Sequence, residues 1–176
     1  YLPTSISPQF DLTESRKIGT FRVTATPTTH LDLTGGFTTT KHSGELPWGA
    51  SFGFSNDNEV ALPYRSRTND VDMGLEWSNN KAMFRAGYNG SWFNNEADTL
   101  TWDNPLVLTD SASASGHGRM ALWPSNSLQT LSAAGYAKFA RRTQLTGSLA
   151  FGFANNDEPL QPFTINSQLP VIALPR

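Results

Sequence analysis

The sequence predicts an all-β protein, an antiparallel up-and-down transmembrane β-barrel, seen here as a segment of about six long strands in three hairpins. Three observations carry this. Apolar residues alternate with polar or small ones over stretches of about 11–13 residues, roughly twice the usual strand of a soluble sheet. Short turns and long loops alternate, always with the same polarity. Aromatic residues stand near both ends of the apolar faces. Hairpins are expected over 16–41, 65–93 and 127–154, and long loops over 42–64, 94–126 and 155–176, all in one barrel domain over 1–176.

The hairpin over 65–93 has the clearest pattern. Val71, Met73, Leu75 and Trp77 share one face of its first arm, against Asp70, Asp72, Gly74 and Glu76. After Ser78-Asn79-Asn80-Lys81, the second arm sets Ala82, Phe84, Ala86, Tyr88 and Trp92 against Arg85, Gly87, Asn89 and Ser91. Side chains alternate across a strand, so each arm has one greasy and one polar side. In the first hairpin Phe21, Val23 and Ala25 alternate with Thr20, Arg22 and Thr24. Pro27-Thr28-Thr29-His30 breaks the ladder, because proline fixes φ and lacks an N–H. Leu31, Leu33, Gly35 and Phe37 resume the pattern against Asp32, Thr34, Gly36 and Thr38. In the third, Leu131, Ala133, Gly135, Ala137 and Phe139 lead through Ala140-Arg141-Arg142 to Leu145, Gly147, Leu149, Phe151 and Phe153.

The loops are rich in proline and in Asn/Asp clusters. Pro47 and Pro63 mark the 42–64 connection, with a short strand expected at Ala50 to Phe54. Tyr1 to Ser15, with Pro3 and Pro8, reads as loop, and the last stretch is again loop-like. Six strands fall short of the eight of the smallest bacterial barrels, and an open edge cannot face lipid. Either further strands lie in the loops or the segment belongs to a larger barrel, and the second is the expectation.

Composition excludes several classes. The 176 residues contain 38% hydrophobic side chains, and no apolar run approaches the ~18–20 residues of a membrane-spanning helix. Charge is near balance, with 13 basic and 15 acidic residues, so nothing points to nucleic acid. With no cysteine there is no disulfide, no thiolate metal site and no attachment motif for a c-type haem. His30, His42 and His117 are scattered, and no serine carries an elbow motif or a partnered acid, so they read as polar loop residues rather than catalytic ones. The clusters at Ser55 to Glu59, Asn94 to Asp98 and Asn155 to Glu158 read as turn formers, since the spacing of a calcium loop is absent. No enzyme, metal or cofactor site is expected.

Two sets of positions are left. Arg22, Asp32, Asp70, Asp72, Glu76, Arg85, Asn89 and Lys138 fall on the polar face and are expected to line a barrel lumen, in contact with water, solute or an inserted partner. Phe21, Phe37, Met73, Leu75, Trp77, Phe84, Tyr88, Trp92, Phe151 and Phe153 are expected to face lipid or form the aromatic girdles. The alternative is a soluble sheet with a solvated polar face, which needs a second layer to cover its apolar side. No amphipathic helix is visible to supply one.

The loop text adds a more specific signal. Ser91-Trp92-Phe93-Asn94-Asn95, Leu100-Thr101-Trp102-Asp103-Asn104-Pro105, Leu122-Trp123-Pro124-Ser125-Asn126, Pro162-Phe163-Thr164-Ile165-Asn166 and the ending Leu174-Pro175-Arg176 resemble stretches of the MtrB/PioB family of decahaem-associated outer-membrane proteins. The likeness runs from about Lys17 onward. It implies integral insertion in the bacterial outer membrane, in a barrel of more than about twenty strands. It also implies a sheath around a periplasmic multihaem c-type cytochrome that carries electrons across the outer membrane, often with an extracellular multihaem cytochrome docked on the loops. The haem would belong to the partner cytochrome, and this chain would bind no cofactor. Two other readings stay open: a porin-like solute channel, and a soluble all-β ligand-binding module built on Trp48, Trp102 and Trp123.

Overall fold

The structure, a computed structural model, describes residues 11–51, 57–140, 142–156 and 158–170. The Tyr1 to Ser15 loop lies mostly outside them, as do the Phe52–Phe54 end of the short strand expected at Ala50 to Phe54, Arg141 of the third turn and the Leu174-Pro175-Arg176 ending. The described residues form eight strands: β1 (Thr13–Thr28), β2 (Leu31–Ser51), β3 (Asp57–Ser78), β4 (Ala82–Asn95), β5 (Thr99–Asp103), β6 (His117–Ala121), β7 (Asn126–Ala140) and β8 (Thr143–Asn155). Six form one antiparallel sheet in the order β1-β2-β3-β4-β7-β8, and β5 pairs with β6 in a separate ribbon. Neighbours in the large sheet are also sequence neighbours, apart from the β5–β6 excursion, which is the up-and-down order expected. The sheet is open, with β1 and β8 as its edges. In a bilayer both edges need partners, so this is a section of barrel wall.

Register carries the alternation from strand to strand, because residues directly opposite each other share a face. Val23, Gly35, Met73, Tyr88, Leu131 and Phe151 form one continuous row across all six strands. Ala25, Leu33, Leu75, Ala86, Ala133 and Leu149 form the row beside it. Every residue of the expected lipid-facing set lies on this apolar face. Phe21 and Phe153 remain 66% and 65% exposed, so nothing among the described residues covers it. From Trp77 to Asn69, the row that also holds Trp92, the strand climbs eight positions, about 27 Å. Tilted by ~35–45° this covers roughly 20 Å of membrane normal, close to the apolar band of an outer-membrane barrel.

The short turns lie together at one end of the sheet. The Ser78 N–H donates to the His30 carbonyl at 2.9 Å, the His30 ring meets the Ser78 carbonyl at 2.9 Å, and the Lys138 N–H donates to the Lys81 carbonyl at 2.8 Å. Pro27 stands inside β1 where the register slips between Ala25 and Thr28, the bulge position a proline tolerates.

The connection expected over 42–64 is instead the upper half of a long hairpin. β2 and β3 stay paired without interruption from Leu31 opposite Trp77 to Ser51 opposite Asp57. Pro47 and Pro63 do not break it, because each lies beyond the end of the strand on its other side. β1 stops pairing at Glu45, and β4 at Ser66. Neither proline therefore interrupts a second ladder. The expected 94–126 loop also holds structure, the β5–β6 ribbon.

Candidate functional site

The polar face of the sheet is built as the apolar one is, one residue out of phase. Arg22, Gly36, Asp72, Asn89, Thr130 and Gly152 make one row; Thr24, Thr34, Gly74, Gly87, Ser132 and Ala150 make the next. Asp32, Glu76, Arg85 and Ala134 follow toward the short turns, while Asp70 and Ser91 lie on the loop side. Lys138, four positions along β7 from Ala134, shares this face. All eight charged or polar positions picked from the sequence thus stand on one surface.

They do not form one cluster. Arg85 Nη2 and Nε both donate to Glu76 Oε2, at 2.6 and 3.0 Å. Asp32 Oδ1 accepts from the Thr26 hydroxyl at 2.7 Å, and the Lys138 ammonium lies 5.8 Å from the centre of the Tyr136 ring. The Asp72 carboxylate leans over Gly36, where a Cβ would stand 2.3 Å from Oδ1. A side chain at 36 would push the Asp72 carboxylate aside. Among the described residues no three His, Asp or Glu side chains converge as a metal site.

Above the sheet the alternation changes phase. Within the band the apolar residues of β2 and β3 are odd-numbered (Phe37, Val71, Met73, Leu75). Beyond it they are even-numbered: Leu46, Trp48 and Ala50 on β2, facing Leu62, Val60 and Asn58 on β3. The greasy side of the upper hairpin is therefore continuous with the polar side of the wall below. The β5–β6 ribbon packs there, and Ala50, Leu62 and Leu100 are almost wholly buried. Tyr64 joins this layer, edge-on to Trp123 at 5.7 Å and to His42 at 5.5 Å. The Trp102 ring covers Gly118 of the paired strand. Of the three tryptophans considered for a ligand surface, Trp102 is thus engaged in internal packing, while Trp123 meets Tyr64 and stays exposed.

Asparagines and one aspartate stitch the cap together. Buried Asn95 donates through Nδ2 to the carbonyls of Ala97 and Trp123, both at 2.8 Å. Asn104 donates to the Ser115 carbonyl at 3.0 Å, and buried Asn166 to those of Ser111 and Ala114 at 2.9 and 3.2 Å. Arg119 donates to the Pro162 carbonyl, and Glu158 accepts from the Ser125 N–H at 2.8 Å. These bonds gather the loop motifs around Trp102-Asp103-Asn104-Pro105, Leu122 to Asn126 and Pro162 to Asn166 into one folded unit. A shallow cleft between Arg119, His117 and the 161–165 segment marks the seam.

Asp110 is the hub. Its Oδ2 accepts from the Ser167 N–H and hydroxyl at 2.7 and 2.8 Å, and Oδ1 from the Gly116 N–H at 2.8 Å and the Ser115 hydroxyl at 3.2 Å. The Ser167 backbone bond first, then the Gly116 one, hold the carboxyl down at about 2 against an ordinary 3.8, because both favour the charged form. A depressed acid contributes stability above its unfolded pKa and loses it as pH falls through the folded one. Docking of residues 158–169 is therefore expected to be intact above about pH 4 and to weaken from there toward pH 2. Amide exchange across 158–169 in the full-length barrel checks this. Unchanged protection down to pH 2, or identical behaviour of Asp110→Ala, would contradict it.

Sequence reading overlooked Asp110, Asn166 and Ser167, since positions 57 apart show no local pattern. It also overlooked the cap core, although the shift from odd to even apolar positions at 46–50 and 60–64 was visible.

Comparison with known proteins agrees with this architecture. A family model described as "Putative outer membrane beta-barrel porin, MtrB/PioB" matches residues 2–175. No curated protein matches the chain. An open six-stranded wall with a lipid-sized apolar band and a match over essentially its whole length lead to one conclusion: the chain belongs to the MtrB/PioB family of outer-membrane β-barrel proteins.

Proposed function

We propose that this wall sheathes a periplasmic multihaem c-type cytochrome and supports electron transfer across the outer membrane, with the haems carried by the cytochrome. The observation that carries the reading is the make-up of the polar face. Between its charges lie Gly36, Gly74, Gly87, Ser132, Ala134, Ala150 and Gly152. Small barrels fill their interior with their own side chains. A face this small and flat leaves its lumen to water or to a guest, and it lets a folded protein approach the backbone closely. Arg22, Asp32, Asp70, Asp72, Glu76, Arg85, Asn89 and Lys138 then supply the polar contacts that orient the guest. Mixed charge suits a protein surface, where complementarity fixes register more than it adds affinity. The cap of β5, β6 and residues 158–169 is the surface on which an extracellular cytochrome would dock.

The test is to purify the full-length barrel from outer membranes in mild detergent. The expected result is c-type haem absorbance at a fixed ratio to barrel, reduced several-fold in an Asp70→Lys/Asp72→Lys variant that still folds. A haem-free barrel that conducts ions in planar bilayers would overturn the sheath in favour of a solute channel.

A further inference from the structure

Immediately above the apolar band, the lipid-side face carries cations in register. The last row of the band is Gly19, Thr39, Asn69 and Trp92. The next row on that face is Lys17, Lys41 and Arg67, directly opposite one another on β1, β2 and β3, and the row after it adds Arg65 opposite Ser43. All four side chains are exposed. Like charges facing each other across strands are destabilising, so such a row calls for an anion. The described residues do not supply one. Glu45, one row further out opposite Pro63, and Glu96, whose N–H bonds the Arg65 carbonyl, are the neighbouring acids. Among the described residues neither forms an ion pair with these cations, which occur only between Glu76 and Arg85 and between Asp103 and His117.

Position identifies the missing anion. The row lies on the side of the wall that meets lipid, at the height where hydrocarbon gives way to headgroups, and at the long-loop end, which faces outward in bacterial barrels. Three strands spaced ~4.8 Å apart put the three cations across roughly 10 Å, the footprint of a phosphorylated sugar headgroup. A guanidinium offers a phosphate two parallel donors, and the lysines add compact point charges.

We propose that Lys17, Lys41, Arg65 and Arg67 form a binding site for the phosphate groups of the glycolipid of the outer leaflet, lipopolysaccharide, held by its lipid A headgroup against the outer wall. The acyl chains then lie along Phe37, Val71 and Trp92 just below. This site is independent of what fills the lumen, so its failure and that of the cytochrome reading are separately visible.

The test uses the full-length barrel in detergent, stripped of lipid and titrated with lipid A while bound lipid is counted by native mass spectrometry. Bisphosphorylated lipid A is expected to bind at least about tenfold more tightly than the same lipid without phosphates, and more weakly as salt rises. A Lys41→Gln/Arg67→Gln variant should lose that difference, and Lys41→Arg/Arg67→Lys should keep it. Equal binding of phosphorylated and phosphate-free lipid by the native barrel overturns the proposal, and this arm needs no variant to fold. Displacement by millimolar inorganic phosphate alone would overturn the lipid assignment and leave a site for the free ion.

Discussion

Leu131→Arg is expected to destabilise the inserted barrel by about 2–4 kcal/mol, the cost of a cation on the lipid face at the bilayer midplane. Leu131 stands in the middle row of the apolar band, between Tyr88 and Phe151, and is 52% exposed in the chain, so its surroundings there are lipid. The neighbouring Thr130 points to the other face, in the row of Asp72 and Asn89. Thr130→Arg should change stability by well under half as much. Urea unfolding of the full-length barrel from lipid vesicles, followed by tryptophan fluorescence, separates the two. Equal costs would mean that the faces do not differ in solvent, and the membrane reading of the alternation would fall.

Leu62→Ala has the second large effect, in a different compartment. Leu62 is 1% exposed, beneath the β5–β6 ribbon, and removing a buried leucine side chain costs roughly 2–5 kcal/mol through lost burial and the cavity left behind. The loss should be local. The ladder below is held by its own pairing and by lipid, whereas the cap depends on a few apolar contacts and the bonds around Asp110 and Asn166. Proteolysis within 99–121 is therefore expected to accelerate by about tenfold or more, each ~1.4 kcal/mol being a factor of ten when opening precedes cleavage. Leu75→Ala, on the lipid face, should leave that rate unchanged. A Leu62→Ala barrel as resistant as the native one would show that the ribbon is held by polar bonds alone.

The wall was legible in the sequence because period two is imposed by the backbone and needs no knowledge of partners. The hairpin over 127–154 came out within one residue of β7 and β8, and that over 65–93 within two residues of the β3–β4 ladder, although β3 itself begins at Asp57. The pairing of Glu76 with Arg85 follows once the turn at Ser78 to Lys81 is fixed. The upper hairpin was hidden by Pro47 and Pro63, which signal a break only if the strand has neighbours on both sides. The cap was hidden for another reason. Its bonds join Asn95 to Trp123, Asn104 to Ser115 and Asp110 to Ser167, and asparagine or aspartate beside glycine and serine looks the same whether it closes a turn or clamps a distant segment.

The β2–β3 ladder runs unbroken through the point where its greasy residues move from odd to even numbers. Membrane depth is thus written in the timing of the alternation rather than in its strength, since the halves below and above the boundary are similarly apolar. One residue inserted between Thr38 and Ser43, matched by one opposite, would turn the upper hairpin over. Leu46 and Trp48 would then join the lipid side, and the cap would lose its floor. A one-residue deletion there would have the same consequence, whereas a two-residue change would only raise or lower the waterline.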